Sequence, residues 1–306
     1  MFRWPSPCYR FLSGPAWKAR VLAPEIARSA AISRALSIVR SRWPGDTIDD
    51  DISPIFLLSA GWGSGSTLLQ RLIMSGKDAL LWGEPFDHAV PIFRLAETIA
   101  PISDRWPRDR YFGDLQSSVP LHDQWIANLV PPVRVLRRAH REFLDTWLGS
   151  AARDAGFRRW GLKEVRLTAD HARFLKWLFP KAKFVFLYRD VVHSWASCRH
   201  VRWFSVWPGY KVARPSAFAH HWRHLVEGFL HSAKSLDALV VRYEDLKDNA
   251  LSLESLAAHL EIEAPDPSVL ELRLGARSGR RPPATPHETA IIRSITDELR
   301  AKLGYC

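Results

Sequence analysis

The chain has 306 residues, enough for one substantial hydrophobic core with at most a small accessory region. Hydrophobic residues make up 47% of it and charged residues 25%, a balance that argues against overall disorder and is typical of a globular protein. The formal charge of +11 predicts attraction to anionic partners, but it does not choose among nucleic acid, membrane headgroups, phosphorylated cofactors and acidic glycans.

The cysteines and the apolar segments bear on cellular location. Cys8, Cys198 and Cys306 are odd in number, far apart and without the paired spacing of metal ligands, which favours a reducing compartment over a disulfide framework. No apolar run approaches the roughly 20 residues that span a bilayer, and the first residues lack the apolar region of a secretion signal. We therefore expect a cytoplasmic protein.

The first 50 residues predict a basic helical arm. Residues 1–43 carry eight lysines and arginines against the single acid Glu25, with apolar residues interleaved. Such a helix could lie on an anionic membrane, but we favour a helix that packs on the domain with its basic face in water. A contact between subunits of a homo-oligomer is a further role for this arm. The acidic, turn-forming stretch DTIDDDISP at 46–54 marks the boundary to a main domain at 51–306.

A strand, a glycine-rich turn and a helix are predicted directly after this boundary. IFLLSA at 55–60 is short and apolar, as in a buried parallel strand, and leucines recur at helical spacing from Leu68 to Leu72. The intervening turn, GWGSGST, would direct backbone N–H groups at an anion beside the N-terminus of the helix. Its small residues are Gly61, Gly63, Ser64, Gly65, Ser66 and Thr67.

The turn differs from the nucleoside-triphosphate loop G-x-x-x-x-G-K-[ST], because no lysine precedes its hydroxyl residues. A plain glycine-rich turn without a ligand is the alternative at this point.

The strand-and-helix pattern returns twice further along the chain. Phe184 to Tyr188 read as a strand followed by a helix, and ALVVRYEDL at 238–246 reads as another strand before a capped helix. Strands that alternate with helices predict an α/β fold with a central, mainly parallel sheet flanked by helices in three layers. Such sheets bind ligands at the carboxyl ends of their strands.

Two motifs together resemble those of a known family. The turn at 61–67 resembles the 5′-phosphosulfate loop of sulfotransferases that use 3′-phosphoadenosine 5′-phosphosulfate (PAPS). FVFLYRDVVHSWASC resembles their 3′-phosphate motif, in which an arginine ends a strand and a serine follows eight positions later, here Arg189 and Ser197. A guanidinium and a hydroxyl suit one phosphate. LWGEPF, WGLKEVRL, VRYEDL and the terminal LGY are also similar, so the resemblance covers roughly residues 54–306.

This resemblance, to bacterial and carbohydrate-type sulfotransferases, implies a P-loop-like fold and an activity. The expected reaction is transfer of a sulfuryl group from PAPS to a hydroxyl or amine of a carbohydrate, glycolipid or small-molecule acceptor, which leaves adenosine 3′,5′-bisphosphate. No metal is required, and no nucleic acid partner is expected. The turn would hold the 5′-phosphosulfate, while Arg189 and Ser197 would hold the 3′-phosphate.

The base that accepts the acceptor's proton is left open between two residues. Glu84 lies beside the apolar Trp82 and Phe86, and a carboxylate partly removed from water accepts a proton more readily. The alternative for Glu84 is an ion pair with a loop arginine. His88 is close in sequence and is an ordinary base near neutral pH.

One departure from the family motif needs an explanation. Gly63 stands where a lysine or arginine normally stabilises charge on the leaving side of the transferred group, and losing such a donor can cost about 2.7 to 4 kcal/mol. Lys163 or Arg166 could reach the site from a neighbouring strand. The basic loop ARSGRRPPATP could instead close over the cofactor through its arginines, which are Arg277, Arg280 and Arg281. A slow or inactive homologue that retains cofactor binding is the third alternative.

Two other classes of function compete with this interpretation. A P-loop kinase or nucleotide hydrolase is disfavoured by the missing lysine and by the lack of an evident magnesium partner. A noncatalytic basic protein would bind anionic polymer or membrane without selecting PAPS over ATP. His220, His221 and His224 invite a metal hypothesis, but no H-E-x-x-H motif or cysteine pair supports it.

Overall fold

A computed structural model describes residues 15–45, 51–85, 90–113, 118–201, 204–206, 209–248, 250–271 and 282–305. The strands are β1 (Ile55–Ser59), β2 (Ala79–Trp82), β3 (Arg159–Glu164), β4 (Lys183–Tyr188), β5 (Ser205–Val206), β6 (Tyr210–Lys211) and β7 (Ala238–Arg242). The helices are α1 (Pro15–Arg42), α2 (Ser66–Ser75), α3 (Val90–Glu97), α4 (Val133–Leu144), α5 (Ala151–Asp154), α6 (Ala169–Leu178), α7 (Val191–Cys198), α8 (Pro215–Leu236), α9 (Tyr243–Lys247), α10 (Leu253–Leu260) and α11 (Pro286–Lys302).

Five strands form one sheet in the order β2-β3-β1-β4-β7, and every neighbouring pair is parallel. The remaining two, β5 and β6, pair as a short antiparallel hairpin. The central strand β1 is buried along its whole length, which its uninterrupted apolar sequence predicts. The predicted α/β fold with a parallel sheet flanked by helices is therefore confirmed.

Two apolar cores cover the two faces of this sheet. Phe56 and Leu58 of β1 belong to the larger core, which includes residues of α1, α6 and α8. Ile55 and Leu57 point to the opposite face and belong to the smaller core with residues of α2 and α10. Because successive side chains of a strand alternate between faces, β1 contributes to both cores at once.

Helix α1 packs on the main domain. Ile32, Leu36 and Val39 recur at helical spacing and are buried in the larger core. The hydroxyl of Ser29 donates to the carboxylate of Asp170 at the start of α6, over 2.6 Å. The division of the chain at residue 50 stays a prediction. Among the helices of the described segments, none is both long and apolar enough to cross a membrane.

Helix α6 begins with an unusual capping box. Its N-cap residue Thr168 donates its backbone N–H to Nδ1 of His171, a position that glutamate or glutamine usually occupies. Burial lowers the pKa of His171 from its ordinary 6.5 to about 4; the nearby Asp170 opposes this shift, and His224 adds to it. The ring is therefore a neutral acceptor at pH 7.

This histidine should make the protein less stable in acid. Since its pKa is lower in the folded state, the unfolded chain binds the proton more tightly, and the stabilisation present above pH 6.5 is lost as the pH falls towards 4. For one such group the loss is about 2 kcal/mol between about pH 7.5 and pH 5. In His171→Gln, which keeps an acceptor for Thr168 but does not titrate, the drop in unfolding free energy should be smaller by that amount.

Urea titrations at both pH values measure this drop in unfolding free energy. His122→Gln, at an exposed histidine, is the control, and an unchanged pH dependence in His171→Gln would contradict the assignment.

Candidate functional site

The glycine-rich turn joins the end of β1 to the start of α2. Gly61, Gly63 and Gly65 all have positive φ angles, of 83°, 74° and 89°, which only glycine adopts readily. The Ser64 hydroxyl donates to the carbonyl of Gly61 over 2.9 Å and also contacts the hydroxyl of Ser59, so the turn is braced from inside.

The N-terminus of α2 is left open to a ligand. Its N-cap residue is Gly65, which has no side chain to cap the helix. The first N–H groups of a helix have no partner within the helix, and they attract anions together with the helix dipole. The strand, the turn and the helix that the sequence predicts are present, and anion binding by the turn stays a prediction.

The arginine of the second motif contacts this turn directly. Arg189 follows the last residue of β4, and its Nη1 donates to the carbonyl oxygen of Gly63 over 3.0 Å. A Cβ atom placed on Gly63 would lie 3.1 Å from the Cβ of Ser197 on α7. The structure therefore brings Arg189 and Ser197 against a turn that lies more than 120 residues earlier in the chain.

The surroundings of Arg189 fix its backbone. The next residue, Asp190, caps α7 by accepting from the N–H groups of Val192 and His193 at 2.9 and 3.0 Å. Arg300 of α11 donates to the same carboxylate over 2.9 Å. The indole N–H of Trp222 donates to the carbonyl of Arg189 over 3.0 Å.

Tyr243 belongs to this site, and the sequence analysis did not single it out. The Arg189 guanidinium lies 4.3 Å from the centre of the Tyr243 ring, within the range of a cation–π contact. A Cβ atom on Gly65 would overlap the same ring, so the tyrosine also requires glycine at the N-cap of α2. The sequence could have indicated Tyr243 through its position, because this residue directly follows β7 at the carboxyl edge of the sheet.

Besides the indole nitrogen of Trp62 in the turn itself, two buried polar atoms of neighbouring elements have no hydrogen-bond partner among the described residues. They are Nε of Arg189 and the hydroxyl of Ser194 in α7. Buried polar groups are nearly always paired, so each of these unpaired atoms needs an explanation. An anion is the ligand that a guanidinium, a hydroxyl and free backbone N–H groups have in common.

A second cluster, of four charged side chains, lies on β3 and on the loop after β2. Both carboxylate oxygens of Glu84 are engaged, one by Nζ of Lys163 at 2.5 Å and the other by Arg166 at 2.6 Å. Arg166 also pairs with the fully buried Glu164 at 3.1 Å, and its guanidinium lies 4.9 Å from the ring centre of Trp62 in the turn. The cluster therefore adjoins the turn, and the partners of Glu84 come from β3 and the residues just after it.

The charge of this cluster depends on pH in the neutral range. Burial raises the pKa of Glu164 to about 7; the Arg166 guanidinium opposes this shift, and the negative charge of Glu84 adds to it. Two cations face two carboxylates, one of which is partly protonated at neutral pH. Protonation of Glu164 would therefore leave one positive charge of the cluster without a matching carboxylate.

Some of the predicted residues lie outside the described residues. His88 belongs to the undescribed stretch 86–89, and Arg277, Arg280 and Arg281 belong to 272–281. The histidines of α8 lie within the described part. Burial lowers the pKa of His221 to about 3, so its ring is neutral. No set of three or more histidine, cysteine or acidic side chains in the described segments could hold a metal ion.

Packing accounts for the missing cation at position 63. A Cβ atom on Gly63 would overlap the backbone carbonyl oxygen of Ser194, in the middle of α7. Helix backbone cannot move aside as a flexible side chain can. A lysine or arginine is therefore sterically excluded here. The nearest cations that the sequence analysis offered instead are Lys163, on β3, and Arg166, two residues after it.

Gly63→Ala tests this close approach, with Gly156→Ala as a matched control. Both glycines have positive φ, 74° and 86°, but a Cβ on Gly156 meets no described atom within 4 Å. Gly156→Ala should lower the unfolding free energy by about 1–2 kcal/mol, the cost of left-handed backbone. Gly63→Ala should cost about 1–3 kcal/mol more because of overpacking against α7. Chemical denaturation measures both losses of unfolding free energy. Equal losses in the two variants would contradict the prediction, because they would show that α7 shifts to accommodate the added Cβ.

The chain resembles several solved structures at low identity. It is 13% identical to the sulfotransferase STF9 from Mycobacterium avium, with a TM-score of 0.42, covering 94% of this chain and 86% of that one. It is 19% identical to the sulfotransferase domain of the Synechococcus PCC 7002 olefin synthase, with a TM-score of 0.40, covering 81% of this chain and 96% of that one. A comparison with curated proteins finds no match.

The model of the Sulfotransferase family matches residues 54–266, more than half of the chain. This chain is thus a member of the Sulfotransferase family.

Proposed function

We propose that this protein transfers a sulfuryl group from PAPS to a hydroxyl or amine of a carbohydrate, glycolipid or small-molecule acceptor. The observation that carries the proposal is the contact of Arg189 and Ser197 with the glycine-rich turn. A donor with phosphates at both the 5′ and the 3′ position of its ribose needs two adjacent anion sites. The turn at the start of α2 is one of them, and the arginine with its serine is the other.

The residues at the site fit this donor. The 5′-phosphosulfate would be held by backbone N–H groups and hydroxyls of the turn and of the first turn of α2, which are Gly61, Gly63, Ser64, Gly65, Ser66 and Thr67. The 3′-phosphate would be held by Arg189 and Ser197. The unpaired Nε of Arg189 and the unpaired hydroxyl of Ser194 support this assignment, because each is a buried donor beside the turn.

The reaction needs positive charge beside the bond of the donor that is cleaved. When bound, PAPS supplies the sulfuryl group, which forms a bond to the acceptor as its bond to the 5′-phosphate oxygen is cleaved. Negative charge then grows on that oxygen, and a fixed cation stabilises it. Lys163 is the residue proposed for this role. It lies in register with Leu57 on β1, two residues before β1 ends at the turn, and its ion pair with Glu84 holds it there.

Two roles are proposed for Glu84, and its ion pairs with Lys163 and Arg166 bear differently on each. As a general base it would have to release Lys163 or Arg166 before it could accept a proton from the acceptor, because both of its oxygens are engaged. As a positioning residue it orients Lys163 and keeps the buried Arg166 paired. His88 is the alternative base.

The donor site is tested by binding two nucleotides that differ only in the 3′-phosphate. By calorimetry, adenosine 3′,5′-bisphosphate should bind more tightly than adenosine 5′-monophosphate. Arg189→Ala should weaken the bisphosphate roughly ten- to a hundredfold, because a hydrogen bond to a charged group contributes about 1.5–3 kcal/mol, and should change the monophosphate little. Arg158→Ala is the control, since this arginine precedes β3 at the opposite, amino edge of the sheet and pairs with Asp78. Equal, weak binding of both nucleotides by the unmodified protein would overturn the proposal.

The role of Lys163 is tested by the rate of PAPS consumption with an acceptor found by screening. Lys163→Met should lower turnover by roughly 10²–10³, the effect of losing one charge-stabilising donor, and leave the affinity for adenosine 3′,5′-bisphosphate nearly unchanged. Lys163→Arg should recover part of the rate. If the unmodified protein binds the bisphosphate tightly but consumes no PAPS with any acceptor, the chain is a binding homologue, and this role for Lys163 is wrong.

A further inference from the structure

Large apolar side chains are exposed in one part of the surface. Ten are exposed over the described residues, and seven of these lie between positions 106 and 130. Their exposed fractions range from 38% to 57%. We call the described residues of this stretch, 106–113 and 118–130, the 106–130 segment. Its exposed apolar residues are Trp106, Val119, Leu121, Trp125, Ile126, Leu129 and Val130.

The 106–130 segment is anchored to the domain although its apolar side chains face water. Tyr111 is buried, and its carbonyl oxygen accepts from the N–H of Val130 over 2.8 Å, which ties the first part of the segment to its last residue. Phe112 packs edge-on against Trp43, just after α1, with ring centres 5.6 Å apart. A tethered segment with this much exposed apolar surface is typical of an interaction site.

Basic side chains border this apolar surface. Arg105, Arg108 and Arg110 are exposed within or next to the segment, and the Arg110 guanidinium lies 5.8 Å from the ring centre of Trp125. Arg134 and Arg138, on the first turns of α4, are exposed immediately after it.

The basic helix α1 also meets the segment. Arg42, in its last turn, donates to the carbonyl oxygen of Pro107 over 2.7 Å. It also pairs with Asp109 at the same distance. The other described acid of the segment, Asp123, is exposed. The arginine-rich end of α1 therefore adjoins the exposed apolar side chains.

We propose that the 106–130 segment docks the protein on an anionic phospholipid membrane. Tryptophan with aliphatic side chains enters the boundary between headgroups and acyl chains, and arginines at the edge contact anionic headgroups. This composition matches the segment and its border. A second copy of the chain is a poorer occupant, because each copy carries a formal charge of +11 and would bring the same basic border to the contact.

Vesicle co-sedimentation tests the proposal with the full chain. Vesicles of phosphatidylcholine with about a third phosphatidylglycerol should bind the protein, and vesicles of phosphatidylcholine alone should bind it less. The double variant Trp125→Ser, Leu129→Ser should weaken binding to the anionic vesicles roughly tenfold or more, because two partly exposed apolar side chains no longer enter the bilayer. Leu230→Ser is the matched control. Leu230 is 39% exposed on α8, against 41% for Leu129, and this variant should bind as the unmodified protein does.

Other results would overturn the proposal. Unmodified protein that does not sediment with anionic vesicles would exclude a membrane partner. Equal binding by the double variant and the unmodified protein would assign the attraction to charge alone. A dimer by analytical ultracentrifugation that the double variant converts to a monomer, without vesicle binding, would make the segment a subunit interface. Circular dichroism of both variants checks that each is folded.

Discussion

The candidate site depends on the close approach of the glycine-rich turn to helix α7. At Gly63 the backbone of the turn lies so near the carbonyl of Ser194 that no side chain fits between them. The same approach allows Arg189 to reach the Gly63 carbonyl and places Ser197 beside it. Positive φ at the glycines of the turn is what permits this contact, because other residues adopt such backbone only at a cost. Both proposed anion sites therefore depend on this one packing constraint.

The close approach has an electrostatic consequence. A turn without room for a lysine needs its cation from elsewhere, and the proposed sources are Lys163 on β3 and Arg166 just after it. Both are buried, and buried cations require partners. Glu84 and Glu164 provide them, and the raised pKa of Glu164 reflects how far this group lies from water. The same network that satisfies the buried charges thus holds Lys163 near the end of β1, where the proposed reaction needs it.

The two proposed binding surfaces of the protein differ in composition and in how each would recognise its partner. The candidate cofactor site is built from strand ends and helix N-termini, and it would select its ligand through fixed hydrogen-bond donors. The 106–130 segment is exposed and apolar with a basic border, and it would select a partner through burial and charge. Helix α1 contributes to the second surface through Arg42, while its apolar face packs in the larger core.

Much of the fold and part of the site could be predicted from the sequence, because both rest on local patterns. The apolar run at 55–60, the glycines that follow it and the leucines of α2 specify a strand, a turn and a helix from neighbouring residues alone. The spacing of Arg189 and Ser197 across one strand end and one helix is local in the same way. The partners of Glu84, the ring of Tyr243 against Gly65, the lack of room at Gly63 and the exposure of Trp125 were decided only by the tertiary structure. Each of these is a contact, or the lack of one, between segments far apart in the chain, and such contacts depend on how whole elements pack rather than on the periodicity of any one of them.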